Sequence, residues 1–183
     1  MTVPGYGGSG ADHWQTHWER ELPATRFRPA SWDEADAQDW ADALTRAVED
    51  EEGPAVLVAH SLGCLAAASW LAEQGPGEVV GALLVAVPDP AGPAFPASAT
   101  AGGFRVVRCR LPVPVTVVVS DDDPYASADW TRGLAAAWGA EVVGIGAAGH
   151  VNGASGLGAW PAGRKILRRV SPAAPPRRRP AAR

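Results

Sequence analysis

Pro54-Ala-Val-Leu-Val-Ala-His-Ser61-Leu-Gly-Cys-Leu-Ala-Ala-Ala-Ser-Trp70 changes its hydrophobic period in mid-stretch. Ala55 to Ala59 form an unbroken apolar run with β-branched members, the pattern of a strand buried on both faces of a parallel sheet. An Ala/Leu-rich helical pattern begins immediately after His60-Ser61-Leu62-Gly63. No residues remain for a connecting loop, so Ser61 falls on the strand-to-helix turn itself. There its hydroxyl stands above the sheet edge, and the Leu62 N–H at the helix start is free to stabilise a developing oxyanion. An ordinary serine N-cap on a βα turn gives the same local pattern, so the rest of the chain must discriminate.

Working outward, Met1-Thr-Val-Pro4 supplies only the end of a first strand, as a truncated start would leave it, and a glycine-rich turn follows from Gly5 to Gly10. Asp12 is expected to cap a helix through about Leu22. Arg26 to Ala30 reads as a weak second strand broken by Pro29, and a helix is expected from about Asp36 to Glu49. Downstream of the central stretch, Gly75-Pro-Gly77 stops its helix and Val79 to Val87 reads as another apolar strand. Pro88 to Pro114 has little periodicity and is expected to be a small lid or binding segment. Val115 to Val119 is a strand, Ala128 to Trp138 a helix with Gly139 beyond it, Glu141 to Ile145 a strand, and Trp160 to Val170 the last helix. The alternation predicts an α/β three-layer αβα sandwich, its mostly parallel sheet holding about six strands, over residues 1–170. Residues 171–183, rich in Pro and Arg, cannot bury a core and are expected to form a disordered tail.

Composition narrows the function. The 183 residues carry a net charge of −4, but four arginines and no acid fall in the last thirteen, so the body alone stands at −8. An acidic body is not that of a nucleic-acid binder, and no apolar run is long enough to predict a membrane span. Two cysteines, Cys64 and Cys109, without C-x-x-C spacing give neither a disulfide framework nor a zinc site, and a cytoplasmic setting is the expectation. No cofactor or metal is expected.

In a parallel sheet the reactive groups gather at the carboxyl ends of the strands. Ser61 follows the strand at 55–59, Asp121-Asp122-Asp123 follow the strand at 115–119, and His150 follows the strand at 141–145. The order Ser, Asp, His is that of a hydrolase built on a strand–turn–helix nucleophile elbow, written G-x-S-x-G and here A-H-S-L-G. Small residues at 59 and 63 are expected because strand and helix approach closely at the turn. Asp121, Asp122 and Asp123 compete for the acid; Asp123 is preferred because Pro124 biases it to an extended backbone. Asp121 and Asp122 are expected to be solvated or to cap the next helix. His60 should leave the elbow in another direction. His13 and His17 share a helix face but lack a third ligand for a metal. Ser61 is thus the expected nucleophile, His150 the base and Asp123 its orienting acid, with the N–H groups of Leu62 and Tyr6 holding the oxyanion. Tyr6, Trp14, Phe95, Phe104 and Tyr125 are candidate lining residues of a small apolar pocket.

Val3-Pro-Gly-Tyr-Gly-Gly-Ser-Gly-Ala-Asp-His-Trp-Gln-Thr-His-Trp18, His60-Ser-Leu-Gly63, Ser120-Asp-Asp-Asp-Pro-Tyr125 and Gly149-His-Val-Asn152 together resemble the YdeN-like family of small serine hydrolases, in the α/β-hydrolase superfamily. The resemblance spans about residues 3–170. It implies a minimal α/β-hydrolase fold with little cap, an acid that precedes a proline as Asp123 does, a small-molecule acyl substrate, and carboxylesterase- or peptidase-like activity. Two other readings stand beside it. Gly5-x-Gly7-x-x-Gly10 with Asp33 fits a dinucleotide fingerprint, although the first strand is short and Pro29 interrupts the second. A hydrolase fold that has become a catalytically silent protein-binding module is the third.

Overall fold

The computed structural model describes residues 1–170; the stretch 171–183, expected to be a tail, lies outside the described residues. Five strands form one parallel sheet in the spatial order β1 (Thr2–Val3), β2 (Ala55–His60), β3 (Val79–Val85), β4 (Val115–Val119) and β5 (Glu141–Gly144). Six α-helices connect and cover them: α1 (Trp14–Glu21), α2 (Ala37–Glu49), α3 (Leu62–Gln74), α4 (Ala97–Ala101), α5 (Ala128–Trp138) and α6 (Pro161–Val170).

The near-continuous apolar strands are explained by burial on both faces. Along β2, Leu57 and Ala59 enter one core with residues of α2, α3 and α5, while Val58 enters a second core with Trp14 and Trp18 of α1 and Ile166 of α6. β3 divides alike, Ala82 and Leu84 against Leu83 and Val85. Period-two alternation thus serves two helical layers instead of one core and solvent. The result is a helix–sheet–helix sandwich. Among the described residues no helix is long and apolar enough to cross a membrane.

The sheet has five strands where about six were expected. The stretch Arg26 to Ala30 contributes one parallel bridge, Thr2 to Arg26, on the outer side of β1. Two backbone hydrogen bonds hold it, Thr2 N–H to Thr25 O at 2.7 Å and Phe27 N–H to Thr2 O at 3.1 Å. Pro29 has no N–H to extend the ladder, and the Phe27 ring turns into the core against Trp32 and Trp40. A second difference lies at α1, which begins one residue later than the Asp12 cap predicts. His13 is the cap, its Nδ1 accepting the Gln15 N–H at 3.2 Å.

The bridge also fixes the topology. From β1 the chain steps outward to Arg26, then returns past β1 to β2. Connections therefore leave in opposite directions from β1 and β2, and a crevice opens beyond their carboxyl ends.

Candidate active site

Ser61 is the only residue between β2 and α3, and its backbone sits at φ 51°, ψ −125°. A residue with a Cβ occupies that region at a cost, so the surroundings must impose it. Ser61 N–H donates to Val85 O at 3.0 Å, and Cys64 N–H donates to Ser61 O at 2.8 Å. The hydroxyl makes no capping bond to α3. It donates instead to His150 Nε2 at 2.7 Å.

The need for small residues at the elbow has a different origin from the one expected. A Cβ on Gly63 would lie 2.3 Å from Val3 O and 2.5 Å from Pro4 O, so it is the end of β1 that crowds this position. Gly5 is crowded in the same way: its Cβ would meet Ser61 Cβ at 2.7 Å and Leu62 N at 3.2 Å. That contact accounts for Gly5 without a dinucleotide. The glycine loop therefore passes directly over the elbow, with Tyr6 next in the chain. Leu62 opens α3, so its N–H has no acceptor within the helix. Among the described residues nothing accepts the Tyr6 N–H.

The acidic run after β4 divides its labour. Asp123 reaches the imidazole, its Oδ1 and Oδ2 lying 2.9 and 3.0 Å from His150 Nδ1. Both side chains are almost fully enclosed. Because a carboxylate only accepts, Nδ1 carries the proton and Nε2 is left to accept from Ser61. Asp121 is exposed and pairs with Arg132 at 3.4 Å. Asp122 is exposed, as expected, and is not a helix cap, since α5 is capped by Ser127. Its Oδ1 accepts the Gly149 N–H at 2.7 Å and the Ser120 hydroxyl at 2.9 Å, tying the histidine loop to the end of β4. Those bonds, the Gly149 N–H first, hold its carboxyl below the usual aspartate range.

Two further histidines stand behind His150. His60 does leave the elbow in another direction, toward the core shared with α1, and its Nε2–H donates to His150 O at 2.8 Å. Burial, and then the nearby His13 and His150, push its pKa well below the usual imidazole value. His13 packs edge-on against it, ring centroids 4.6 Å apart. Burial, then the Arg26 charge, then His150 lower the His13 pKa to about 4. Cys64, one turn beyond Ser61, is buried, and burial raises its thiol pKa. It packs as a small apolar residue.

A cleft of about 540 Å³ opens over Ser61 and His150, walled by Tyr6, Leu62, Pro88, Phe95, Pro96 and Tyr125. The Tyr125 ring packs on His150 at 4.1 Å between centroids. Of the expected lining residues, Trp14 and Phe104 are elsewhere. Trp14 packs against Trp18 and Trp160, and Phe104 stands edge-on to Trp40. The Pro88–Pro114 segment contributes Phe95 and Pro96 to the wall and carries the single-turn α4. Sequence reasoning missed what His60, Asp122 and Trp14 do. A histidine at the inner end of a fully apolar strand is the one local sign that a buried partner awaits it.

A parallel sheet between helical layers, a serine on a strained strand–helix turn, and an imidazole and carboxylate in line behind it define an α/β-hydrolase. The chain belongs to the serine hydrolase family, whose model, described as "Serine hydrolase", matches residues 1–169. A YdeN-like hydrolase from Pectobacterium atrosepticum is 34% identical, with 92% of this chain and 88% of that one covered and a TM-score of 0.82. The ydeN gene product of B. subtilis is 23% identical, covering 92% and 95%, with a TM-score of 0.74. An esterase from a Rhodococcus species shares the fold at 17% identity, 91% and 86% coverage and a TM-score of 0.60. No curated protein sequence matches the chain.

Proposed function

We propose that the protein hydrolyses small carboxylic esters, and by the same chemistry thioesters or amides, through an acyl-Ser61 intermediate. The observation that carries this is the unbroken line Asp123–His150–Ser61, with 2.7 Å between Ser61 Oγ and His150 Nε2 and 2.9 Å between His150 Nδ1 and Asp123. As Oγ bonds to the substrate carbonyl carbon, its proton passes to Nε2 and the carbonyl electrons move onto oxygen. The N–H groups of Leu62 and Tyr6 hold that oxyanion. Collapse expels the alcohol, thiol or amine, which takes the proton from Nε2. A water then repeats the sequence, releasing the acid and restoring Ser61. Asp123 keeps the imidazole in the required tautomer and stabilises its charged form. The modest cleft, with Phe95, Pro96 and Tyr125 on its wall, favours a small acyl group.

Fluorophosphonate labelling read by intact mass tests this directly. One adduct is expected on the wild type and none on Ser61→Ala, together with turnover of p-nitrophenyl acetate by the wild type only. Folded wild-type protein that takes no adduct would refute the proposal and leave the binding-module reading.

A further inference from the structure

Val151, directly after His150, is buried and has φ 51°. A β-branched residue in the left-handed region is a true outlier, and such strain persists only where the surroundings over-determine it. Two buried side chains supply the restraint. His60 Nε2–H donates to the carbonyl of His150 at 2.8 Å, and Trp14 Nε1–H donates to the carbonyl of Val151 at 2.8 Å. Consecutive peptide groups are therefore held from two different elements, the end of β2 and the start of α1.

We propose that His60 is a positioning residue for His150: with Trp14 it clamps the two peptide groups that follow the imidazole and so fixes Nε2 within reach of Ser61. The catalytic part of the inference rests on the hydrolase reading above; the geometric part does not. His60 suits the task because its ring is buried and neutral, so the tautomer that places hydrogen on Nε2 is fixed by the carbonyl it faces. His60 also adjoins Ser61 in sequence. One residue thereby links the backbone that carries the nucleophile to the backbone that carries the base, and a loop displacement of 1 Å is enough to impair such a pair. The bland alternative is a histidine that merely fills the core beside His13. Filling the core would require no donor aimed at the carbonyl of the one imidazole bonded to Ser61.

Three variants separate the possibilities: His60→Leu removes the donor, His60→Gln places an amide N–H where Nε2 stood, and Trp14→Phe keeps an aromatic ring but loses its N–H. Turnover of p-nitrophenyl acetate is measured per active site, counted by fluorophosphonate labelling, so that unfolded protein does not enter. His60→Leu is expected to lower kcat about 10- to 100-fold with little change in KM. His60→Gln should recover most of that loss, and Trp14→Phe should show a smaller loss of the same kind. A second readout needs no turnover: the low-field Nδ1–H proton resonance of His150, bonded to Asp123, should shift or broaden in His60→Leu and return in His60→Gln. Wild-type kcat per site in His60→Leu, or a glutamine variant no better than the leucine, would overturn the proposal. If the wild type itself fails to label, the hydrolase reading falls, and the resonance alone decides whether His60 positions His150: an unmoved signal in His60→Leu overturns it.

Discussion

Acid should destabilise this protein through a buried histidine that takes no part in chemistry. His13 is 5% exposed and caps α1 with Nδ1, which accepts the Gln15 N–H. A proton on Nδ1 would turn that acceptor into a donor facing a donor. Burial first, then the charge of Arg26, hold its native pKa at about 4. In the unfolded chain an imidazole titrates near ~6.5. Between those values the unfolded state binds a proton that the native state refuses, so stability falls as pH falls. The slope is about 1.4 kcal/mol per pH unit for one such group, and the loss reaches about 2 kcal/mol by roughly pH 5. It saturates at about 3 kcal/mol once pH drops below the native pKa. His60, also held low by burial, acts in the same direction. The perturbation is His13→Asn, which keeps a side-chain acceptor at the cap and removes the titration. Urea unfolding followed by tryptophan fluorescence, at about pH 7.5 and about pH 5, measures the effect. Carboxylates titrate in both proteins and cancel in the difference. The variant is expected to lose about 2 kcal/mol less than the wild type over this interval. Equal losses would show that His13 is charged in the folded protein, or that its cap does not require the neutral ring.

Two backbone predictions concern the elbow, and the first reverses the usual order of helix propensity. Gly63→Ala, inside α3, would ordinarily stabilise, but its Cβ would stand 2.3 Å from Val3 O and 2.5 Å from Pro4 O, so a loss of about 2 kcal/mol is expected in urea unfolding; an equal or more stable variant would refute the crowding. Ser61→Gly should unfold later than Ser61→Ala by about 1 kcal/mol, because both lose the hydroxyl and only glycine relaxes the turn at φ 51°; the reverse order would mean that the turn carries no strain.

Much of the fold was legible where structure is local. The change of period at Ser61, the apolar strands β3 and β4, the span of α2 and the limits of α5 all follow from patterns a few residues long. Ser61, Asp123 and His150 could be singled out because each follows a strand end, and the structure brings them within hydrogen-bond distance. The misreadings share a cause. Asp12 looks like the better helix cap, yet His13 can cap and also fill the space beside His60. Trp14 and Phe104 look like pocket residues, but large rings with a distant partner go to the core. Asp122 is solvated as expected, but its bond to the Gly149 N–H escapes a local reading because that partner lies 27 residues away.

Strand order explains why the supports of His150 were the hardest part to read. β4 lies two places from β2 and β5 lies three, so at ordinary strand spacing the histidine loop starts about 14 Å from the serine. His150 is the sixth residue beyond Gly144, where β5 ends, and the loop must lean back across the sheet to bring its imidazole over Ser61. Its own short-range bonds, among them Ser155 Oγ–H to Ala148 O at 2.7 Å and Val151 N–H to Ala148 O at 3.3 Å, shape the loop but do not tie it to the serine. Its longer-range restraints come from Ser120, Asp122 and Asp123 beyond β4, from His60 at the tip of β2 and from Trp14 at the start of α1. The crevice opened by the reversal of chain direction between β1 and β2 draws the site to one side of the sheet, and that displacement obliges residues near the chain's beginning to hold a histidine near its end. Distances in sequence of 90 between His60 and His150, and 137 between Trp14 and Val151, are the price of that topology.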